Sequence, residues 1–199
     1  NNKNIFCGLN VTTVGGTGLF GYKKTWNEHH ILNSLIEDTF SEKKLKYLRY
    51  KFDINGSDER QYSSPGFRIN IATISKDKYY EYPYYHTSLD DLNYVKGSNI
   101  FKSFLIYRSL INKIENLTFY KNNVLYGEPM LSKRNLYPKL GGHILPKNIK
   151  NTNLLLWILF YSDGLTSTYE ISKKTKYNQK EIEKISENLK KLKLLSINE

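Results

Sequence analysis

Cysteine occurs only once in this 199-residue chain, as Cys7. A single thiol excludes an internal disulfide framework and a thiolate metal cluster, so a bound metal would need histidine and carboxylate ligands. The chain also lacks an apolar run near the roughly 20 residues that a membrane-spanning helix needs, and it shows no signal-peptide pattern. We therefore expect a cytoplasmic protein with no membrane partner.

Acidic residues are few relative to basic ones, 19 against 30, which gives a formal net charge of +11. Such a charge suits a nucleic acid, an anionic surface or an acidic substrate. A general compositional bias toward lysine, asparagine, isoleucine and tyrosine produces the same excess without forming a binding surface. Because the basic residues form no long block, we favour this second interpretation.

Residues 1–126 alternate between strand and helix patterns, which predicts an α/β body. The predicted helices span residues 28–40 and 99–116, with His29 and His30 on the outer face of the first. The predicted strands span residues 5–14, 45–54 and 68–74. Three prolines and a Gly-Gly pair predict a connecting segment at residues 127–151.

Residues 152–199 have the pattern of a small all-α winged helix-turn-helix domain. The predicted helices lie at 154–160, 168–175 and 178–191, and residues 194–197 form the start of a short wing. Lys180 and Lys184 on the last helix are the candidate nucleic-acid contacts. Acidic residues interrupt them, and the helix has no arginine to recognise guanine, so we expect packing or dimerisation rather than nucleic-acid binding.

Two loops that follow predicted strands concentrate polar functional groups, in the positions where sites form on α/β sheets. They are Gly-Ser-Asp-Glu-Arg-Gln-Tyr-Ser-Ser-Pro-Gly at 56–66 and Tyr-Tyr-His-Thr-Ser-Leu-Asp-Asp at 84–91. Taken alone, His86 is most simply a hydrogen-bonded loop residue, and Ser-Asp-Glu-Arg is equally a salt-bridged turn or a helix cap.

Six motifs in order give the chain a resemblance to the closing half of the zinc aminopeptidase and glutaminyl cyclase superfamily. The nearest match is to aminopeptidase-like proteins that are often associated with polysaccharide biosynthesis and end in a helix-turn-helix domain. The motifs are Gly-Ser-Asp-Glu-Arg-Gln-Tyr (56–62), Ser-Pro-Gly (64–66), Tyr-His-Thr-Ser (85–88), Gly-Glu-Pro-x-Leu (127–131), Arg-x-Leu-Tyr-Pro (134–138) and Ser-Asp-Gly (162–164). The resemblance implies part of a three-layer zinc-aminopeptidase-like fold and a zinc-dependent hydrolase of peptide or amide bonds.

The resemblance also assigns roles to individual residues. His86 is the implied zinc ligand, with Asp90 or Asp91 accepting the other ring N–H. Asp58 and Glu59 are expected to face the same cleft, Asp58 in a proton-shuttling or substrate-holding network, and Arg60 is expected to anchor a carboxylate or phosphate. Tyr62 and Tyr85 are the implied substrate contacts.

The chain departs from the superfamily at its other metal ligands and its glutamate base, which come from an earlier part of those proteins. The strand Val-Thr-Thr-Val-Gly at 11–15 also lacks the aspartate that two-metal relatives place there. We expect one zinc ion completed by an N-terminal half, a peptide or amidated small-molecule substrate, and a homo-oligomer as an open alternative. The competing hypothesis is an inactive hydrolase-like domain joined to a helix-turn-helix unit that binds nucleic acid or dimerises.

Overall fold

The computed structural model describes residues 5–134, 136 and 149–197. The chain forms two compact units, Asn1–Glu115 and Asn116–Glu199. The first unit thus ends before the predicted boundary at residue 126. The reason is that a strand at Phe119–Asn122 pairs only with strands of the second unit.

The first unit contains a four-stranded mixed sheet with the order β1-β4-β2-β3. Its strands are β1 (Gly8–Val11), β2 (Phe20–Lys23), β3 (Tyr47–Tyr50) and β4 (Ile71–Ser75). Strand β1 runs parallel to β4, β2 runs parallel to β3, and β2 runs antiparallel to β4. Consequently β1 and β3 are the two edges of this sheet.

Three helices complete the first unit: α1 (Ile31–Glu42), α2 (Asp58–Tyr62) and α3 (Gly97–Glu115). Helix α1 packs against α3. The apolar face predicted for α1 is buried, with Leu32, Leu35 and Phe40 all inaccessible to solvent or nearly so. The core of the unit therefore lies between the sheet and these helices.

Two local predictions for this unit were wrong. His29 and His30 precede α1 instead of lying on its outer face, because Nδ1 of His30 accepts the backbone N–H of Leu32 at 3.3 Å and caps the helix. Strand β2 was not predicted at all. All four of its residues are buried, so it shows no alternation of apolar and polar side chains.

In its described residues, the second unit combines a three-stranded antiparallel sheet with three α-helices. Its elements are β5 (Phe119–Asn122), a 3₁₀ turn (Leu131–Arg134), α4 (Ile149–Tyr161), β6 (Asp163–Ser167), α5 (Thr168–Thr175), α6 (Gln179–Lys191) and β7 (Leu195–Ile197). The strand order is β6-β5-β7. Strand β7 matches the wing predicted at 194–197, whereas β5 and β6 were not predicted. Ile158, Ile171 and Ile182, one from each helix, are buried together in its core.

The predicted connecting segment at 127–151 is only partly described. Within it, Leu131 is buried against the core of the second unit. Part of the Arg-x-Leu-Tyr-Pro motif and the pair Gly141-Gly142 lie outside the described residues. In the part of the chain that the structure describes, no helix is both long and apolar enough to cross a membrane.

Candidate active site at the carboxyl edge of the sheet

Parallel pairing of β1 and β4 brings the segments that follow them to the same edge of the sheet. Two hydrogen bonds join these segments: the backbone N–H of Lys76 donates to the carbonyl of Thr13 at 2.9 Å, and the Thr13 hydroxyl donates to the carbonyl of Asp77 at 2.6 Å. Carboxyl ends of parallel strands are the usual position of sites on open α/β sheets. This edge is therefore the natural place to look for the chemistry of the first unit.

A cavity of about 390 Å³ opens at this edge. It is lined by residues 12–16, by Asp77, by Ile100 of α3 and by the segment that carries the second predicted motif. The wall residues from that segment are Tyr82, Tyr85, His86, Asp90, Tyr94 and Val95. Of the predicted site residues, His86, Asp90 and Tyr85 are thus brought together.

His86 is exposed at the tip of a turn and lies against Tyr85, with the two rings stacked 4.0 Å apart at 14°. The turn is closed by Thr87, whose backbone N–H and hydroxyl both donate to the carbonyl of Tyr84, at 3.0 and 2.8 Å. The backbone of His86 has φ of 57°, which is uncommon for a residue other than glycine and is over-represented at functional sites. The turn thus presents the imidazole at the cavity.

The two carboxylates expected to orient His86 have other partners. Asp90 accepts the hydroxyl of Tyr82 at 2.7 Å, and Asp91 accepts the backbone N–H of Asn93 at 2.7 Å. Within the described residues, neither carboxylate bonds the His86 ring. Burial, together with the hydrogen bond to Asp90, raises the pKa of Tyr82, so this phenol remains a donor at neutral pH.

Asp77 belongs to this cavity, although the sequence did not single it out. Its carboxylate lies over the backbone of the Gly-Gly-Thr-Gly loop, so close that an added Cβ on Gly16 would stand 1.8 Å from Oδ2 and one on Gly18 1.9 Å from Oδ1. Burial and the adjacent Asp77 carboxylate raise the pKa of Tyr94 to about 12. Asp77 lies two residues after the end of β4, where sites form on α/β sheets, and this position was the signal in the sequence that could have identified it.

A second polar cluster lies inside the first unit around Glu59, whose side chain is 0% exposed. The carboxylate accepts hydrogen bonds from Tyr79 at 2.7 Å, from Asn10 at 2.9 Å and from Nζ of Lys23 at 3.2 Å. Lys23 is itself only 5% exposed and also pairs with Asp53 at 2.9 Å. Glu59 therefore forms a buried ion pair, and the expectation that it faces a cleft with Asp58 was wrong.

The pKa of Glu59 is lowered by this surrounding network. Burial alone raises the pKa of the carboxyl group, but hydrogen bonds from Tyr79 and from its own backbone, together with the charge of Lys23, outweigh that effect. Glu59 is thus an ionised structural group that holds the start of α2. Its ion-pair partner Lys23 lies outside the Ser-Asp-Glu-Arg motif.

The other predicted residues of the first motif are at the surface. Asp58 and Arg60 are exposed on the short helix α2, and Arg60 donates to the carbonyl of Ile54 at 3.1 Å. Tyr62 is exposed and contacts Phe67 with ring centroids 5.7 Å apart. None of these side chains lines the cavity that His86 borders.

A catalytic zinc takes three protein ligands and leaves one position open. Within residues 5–134, 136 and 149–197 no group of three or more histidine, cysteine, aspartate or glutamate side chains is arranged to hold a metal. At the cavity the described residues offer one imidazole, that of His86, and do not by themselves form a zinc site.

Known proteins match both units. Residues 1–117 match a family described as a domain of unknown function, DUF4910, and residues 118–197 match the winged helix-turn-helix family. A protein of Clostridium acetobutylicum named for polysaccharide biosynthesis and an aminopeptidase-like domain is 31% identical over 98% of this chain and 44% of its own length. A crystal structure from the same organism, described as a peptidase, has a TM-score of 0.64 and 30% identity over 98% of this chain and 43% of that one. The chain spans less than half the length of these relatives.

Proposed function

The chain belongs to the DUF4910 family of aminopeptidase-like proteins with a C-terminal winged helix-turn-helix domain, and from that membership we propose that it carries the His86 half of a zinc-dependent hydrolase site. The bond cleaved is a peptide or amide bond. The observation that carries the proposal is the position of His86, exposed at a cavity formed where the parallel strands β1 and β4 end.

In this proposal His86 is one zinc ligand, and the remaining ligands lie outside the described residues. A neutral imidazole is a common zinc ligand. Because no group of three ligands occurs among the described residues, the proposed zinc site needs ligands besides those that these residues supply.

The cavity lining suggests the class of substrate. Tyr82, Tyr85 and Tyr94 offer aromatic faces beside the carboxylates of Asp77 and Asp90. Aromatic rings with nearby carboxylates suit a cationic amine, such as a free peptide N-terminus or an amino sugar. The name of the Clostridium relative refers to polysaccharide biosynthesis, which supports an amidated sugar as the alternative to a peptide.

Asp58 and Arg60 are solvent-exposed but do not line the cavity of His86, so their proposed roles require a substrate that extends beyond that cavity. Arg60 suits a carboxylate or phosphate through its planar fork of donors. The buried ion pair of Lys23 and Glu59 fixes the backbone from which both side chains project. Lys23 also holds this backbone directly, because its Nζ donates to the carbonyl of Asn55 at 2.6 Å.

Zinc content provides the test. The 199 residues should be expressed in place of the matched region of the Clostridium relative, so that a complete protein is measured by elemental analysis. We expect about one zinc per molecule, lost in His86→Ala. The matched control is His29→Ala, an exposed histidine outside the cavity, which should retain zinc. Equal zinc in both variants would remove the assignment.

A second role belongs to the winged helix-turn-helix unit. Lys180 and Lys184 are exposed on α6, but Glu181 is exposed between them. Glu187 is bonded by Tyr120 at 2.6 Å and lies 3.5 Å from Lys190, which reduces the positive charge of the helix further. We propose packing or dimerisation for this unit rather than nucleic-acid binding.

A further inference from the structure

Asn55 and Gly56 form the only Asn-Gly pair in the sequence, and they lie in the loop that leads from β3 to α2. A glycine that follows asparagine has no side chain to shield its backbone nitrogen from the asparagine side-chain carbonyl. In such a pair the asparagine side chain reacts most readily with the backbone. Asn55 is thus a candidate modification site that the proposed hydrolase chemistry does not use.

The reacting groups of this pair are not held by other contacts. Asn55 is exposed, and it makes its hydrogen bonds through the backbone: its N–H donates to Asp53 at 2.9 Å, and its carbonyl accepts from Lys23 at 2.6 Å. Among the described residues, the Asn55 side-chain amide has no hydrogen-bond partner and the Gly56 N–H has no acceptor. Neither residue belongs to a helix or strand, so the backbone can rotate to bring the Gly56 nitrogen to Cγ of Asn55.

Asn33, which precedes the small residue Ser34, has the opposite environment. It is buried, its Nδ2 donates to the hydroxyl of Thr25 at 2.9 Å, and its Oδ1 accepts the backbone N–H of Thr25 at 3.1 Å. Both ends of its side-chain amide are therefore held, and the residue lies within α1. The two asparagines allow a reactive and a protected site to be compared in one chain.

The ammonium group of Lys23 lies on the carbonyl oxygen of the peptide group that joins Asn55 to Gly56. The separation of 2.6 Å is at the short end for a charge-assisted hydrogen bond. A cation on this oxygen withdraws electron density from the peptide group, so the Gly56 nitrogen loses its proton more readily. Asp53 and Glu59 hold Lys23 in this position, and its burial limits screening by salt.

We propose that Asn55 of the folded chain converts spontaneously to aspartate and isoaspartate through a cyclic imide formed with Gly56, and that Lys23 promotes the ring closure. Hydroxide removes the Gly56 amide proton, and the nitrogen attacks Cγ of Asn55. The N–Cγ bond forms and the Cγ–Nδ2 bond breaks, and ammonia leaves after it takes a proton from water. Water then opens either C–N bond of the imide, which yields aspartate or isoaspartate.

Either product places a new carboxylate beside the buried pair of Lys23 and Glu59. In isoaspartate this carboxylate is the former backbone carbonyl that Lys23 holds, and the main chain is longer by an extra atom at this point. Helix α2, which carries Asp58 and Arg60, begins shortly after Gly56. The modification therefore changes both the charge and the backbone of the loop that leads to two candidate site residues.

A paired substitution tests the part assigned to Lys23. Lys23→Met combined with Glu59→Gln removes both charges of the buried pair, so that neither is left buried alone. We expect conversion of Asn55 to slow by about threefold to tenfold, the effect available from the loss of a charge-assisted hydrogen bond. The control is Glu28→Gln, which removes a partly exposed pair with Lys24 and should leave the rate unchanged. Equal rates in the double variant and the wild type would overturn the role of Lys23.

Peptide mass spectrometry of the unsubstituted chain tests the conversion itself and does not depend on the folding of any variant. The full chain is incubated at neutral pH and digested with trypsin, and the peptide 52–60 is separated against synthetic aspartate and isoaspartate standards. A synthetic peptide of residues 52–60 is incubated in parallel. We expect Asn55 to convert in the folded chain at least as fast as in the peptide, with no conversion at Asn33 over the same time. An Asn55 that keeps its amide in the folded chain while the peptide converts would overturn the proposal.

Discussion

At the scale of single residues, Glu59 and Lys23 form a buried ion pair in the first unit, with side chains 0% and 5% exposed. Each is buried, and each satisfies the other, with Tyr79, Asn10 and Asp53 completing the network. A buried ion pair is weak evidence for net stability, but removing one partner leaves the other charge buried and uncompensated. The network is therefore sensitive to a change at either residue.

Glu59→Gln should destabilise the first unit by about 3 kcal/mol, toward the low end for a broken buried pair because Lys23 retains Asp53. Urea unfolding measures the loss. The control is Glu28→Gln, which removes a partly exposed pair with Lys24 at 3.8 Å and should cost less than about 0.5 kcal/mol. Equal losses of unfolding free energy in the two variants would show that burial of the Glu59 carboxylate does not add to the cost of removing its charge.

The same residue predicts a pH dependence. The pKa of Glu59 is lower in the folded chain than in the unfolded chain, because its hydrogen bonds and the charge of Lys23 outweigh the effect of burial. Its stabilising contribution is therefore present above the unfolded pKa and lost as pH falls through the folded pKa. Unfolding free energy of the wild type should fall more steeply in acid than that of Glu59→Gln. Parallel acid profiles would contradict the direction of the shift.

The grouping of residues at the cavity was predictable from the sequence only where the residues are neighbours along the chain. His86, Tyr85 and Asp90 lie in one short segment, and all three line the cavity. Burial of Glu59 was not predictable, since its partners Lys23 and Tyr79 come from distant segments that only the folded sheet brings together. Asp77 was missed for a similar reason, because its neighbours are backbone atoms of a distant loop.

At the scale of elements, the Gly-Gly-Thr-Gly loop after β1 is shaped by the side chain of Asp77. Gly16→Ala would place a Cβ 1.8 Å from Oδ2 of Asp77, so the carboxylate or the loop must move. We expect a loss of about 1–3 kcal/mol in unfolding free energy, as for other overpacked positions. The control is Gly66→Ala, where an added Cβ meets no atom within 4 Å and little change is expected.

A double-mutant cycle separates this clash from other effects of the alanine. If the Asp77 carboxylate is the obstacle, Gly16→Ala combined with Asp77→Ala should cost less than the sum of the single substitutions. Strictly additive costs would show that the carboxylate does not set the shape of the loop.

Helices were predicted better than strands. Helix α5 spans Thr168–Thr175 as predicted, and a local signal explains its start: Ser167 and Glu170 form a reciprocal capping box. Strands β2, β5 and β6 were not predicted, and each pairs with a strand that is distant in sequence. A short strand gives too few positions for its periodicity to be recognised.

At the scale of the whole chain, the order of an α/β part followed by a winged helix-turn-helix domain was predictable, since each part has its own apolar pattern. Matches of residues 1–117 and 118–197 to two families confirm that order. The compact units divide between Glu115 and Asn116, where a long helix gives way to a strand that pairs with β6 and β7. That pairing is non-local, and the apolar pattern at 119–122 alone does not reveal it.

The net charge of +11 provides a last prediction about the whole chain. On α6 the exposed Lys180 and Lys184 are interspersed with glutamates, so the helix does not present a continuous basic stripe. Duplex DNA titrated with the full chain should show little binding. The double substitution of Lys180 and Lys184 by alanine should change the DNA affinity no more than the double substitution of Lys44 and Lys46 by alanine in the first unit. Contacts to several phosphates would instead give an affinity that falls by about tenfold or more between roughly 50 and 200 mM salt. Such a fall, abolished only by the α6 substitutions, would identify the second unit as a DNA-binding domain.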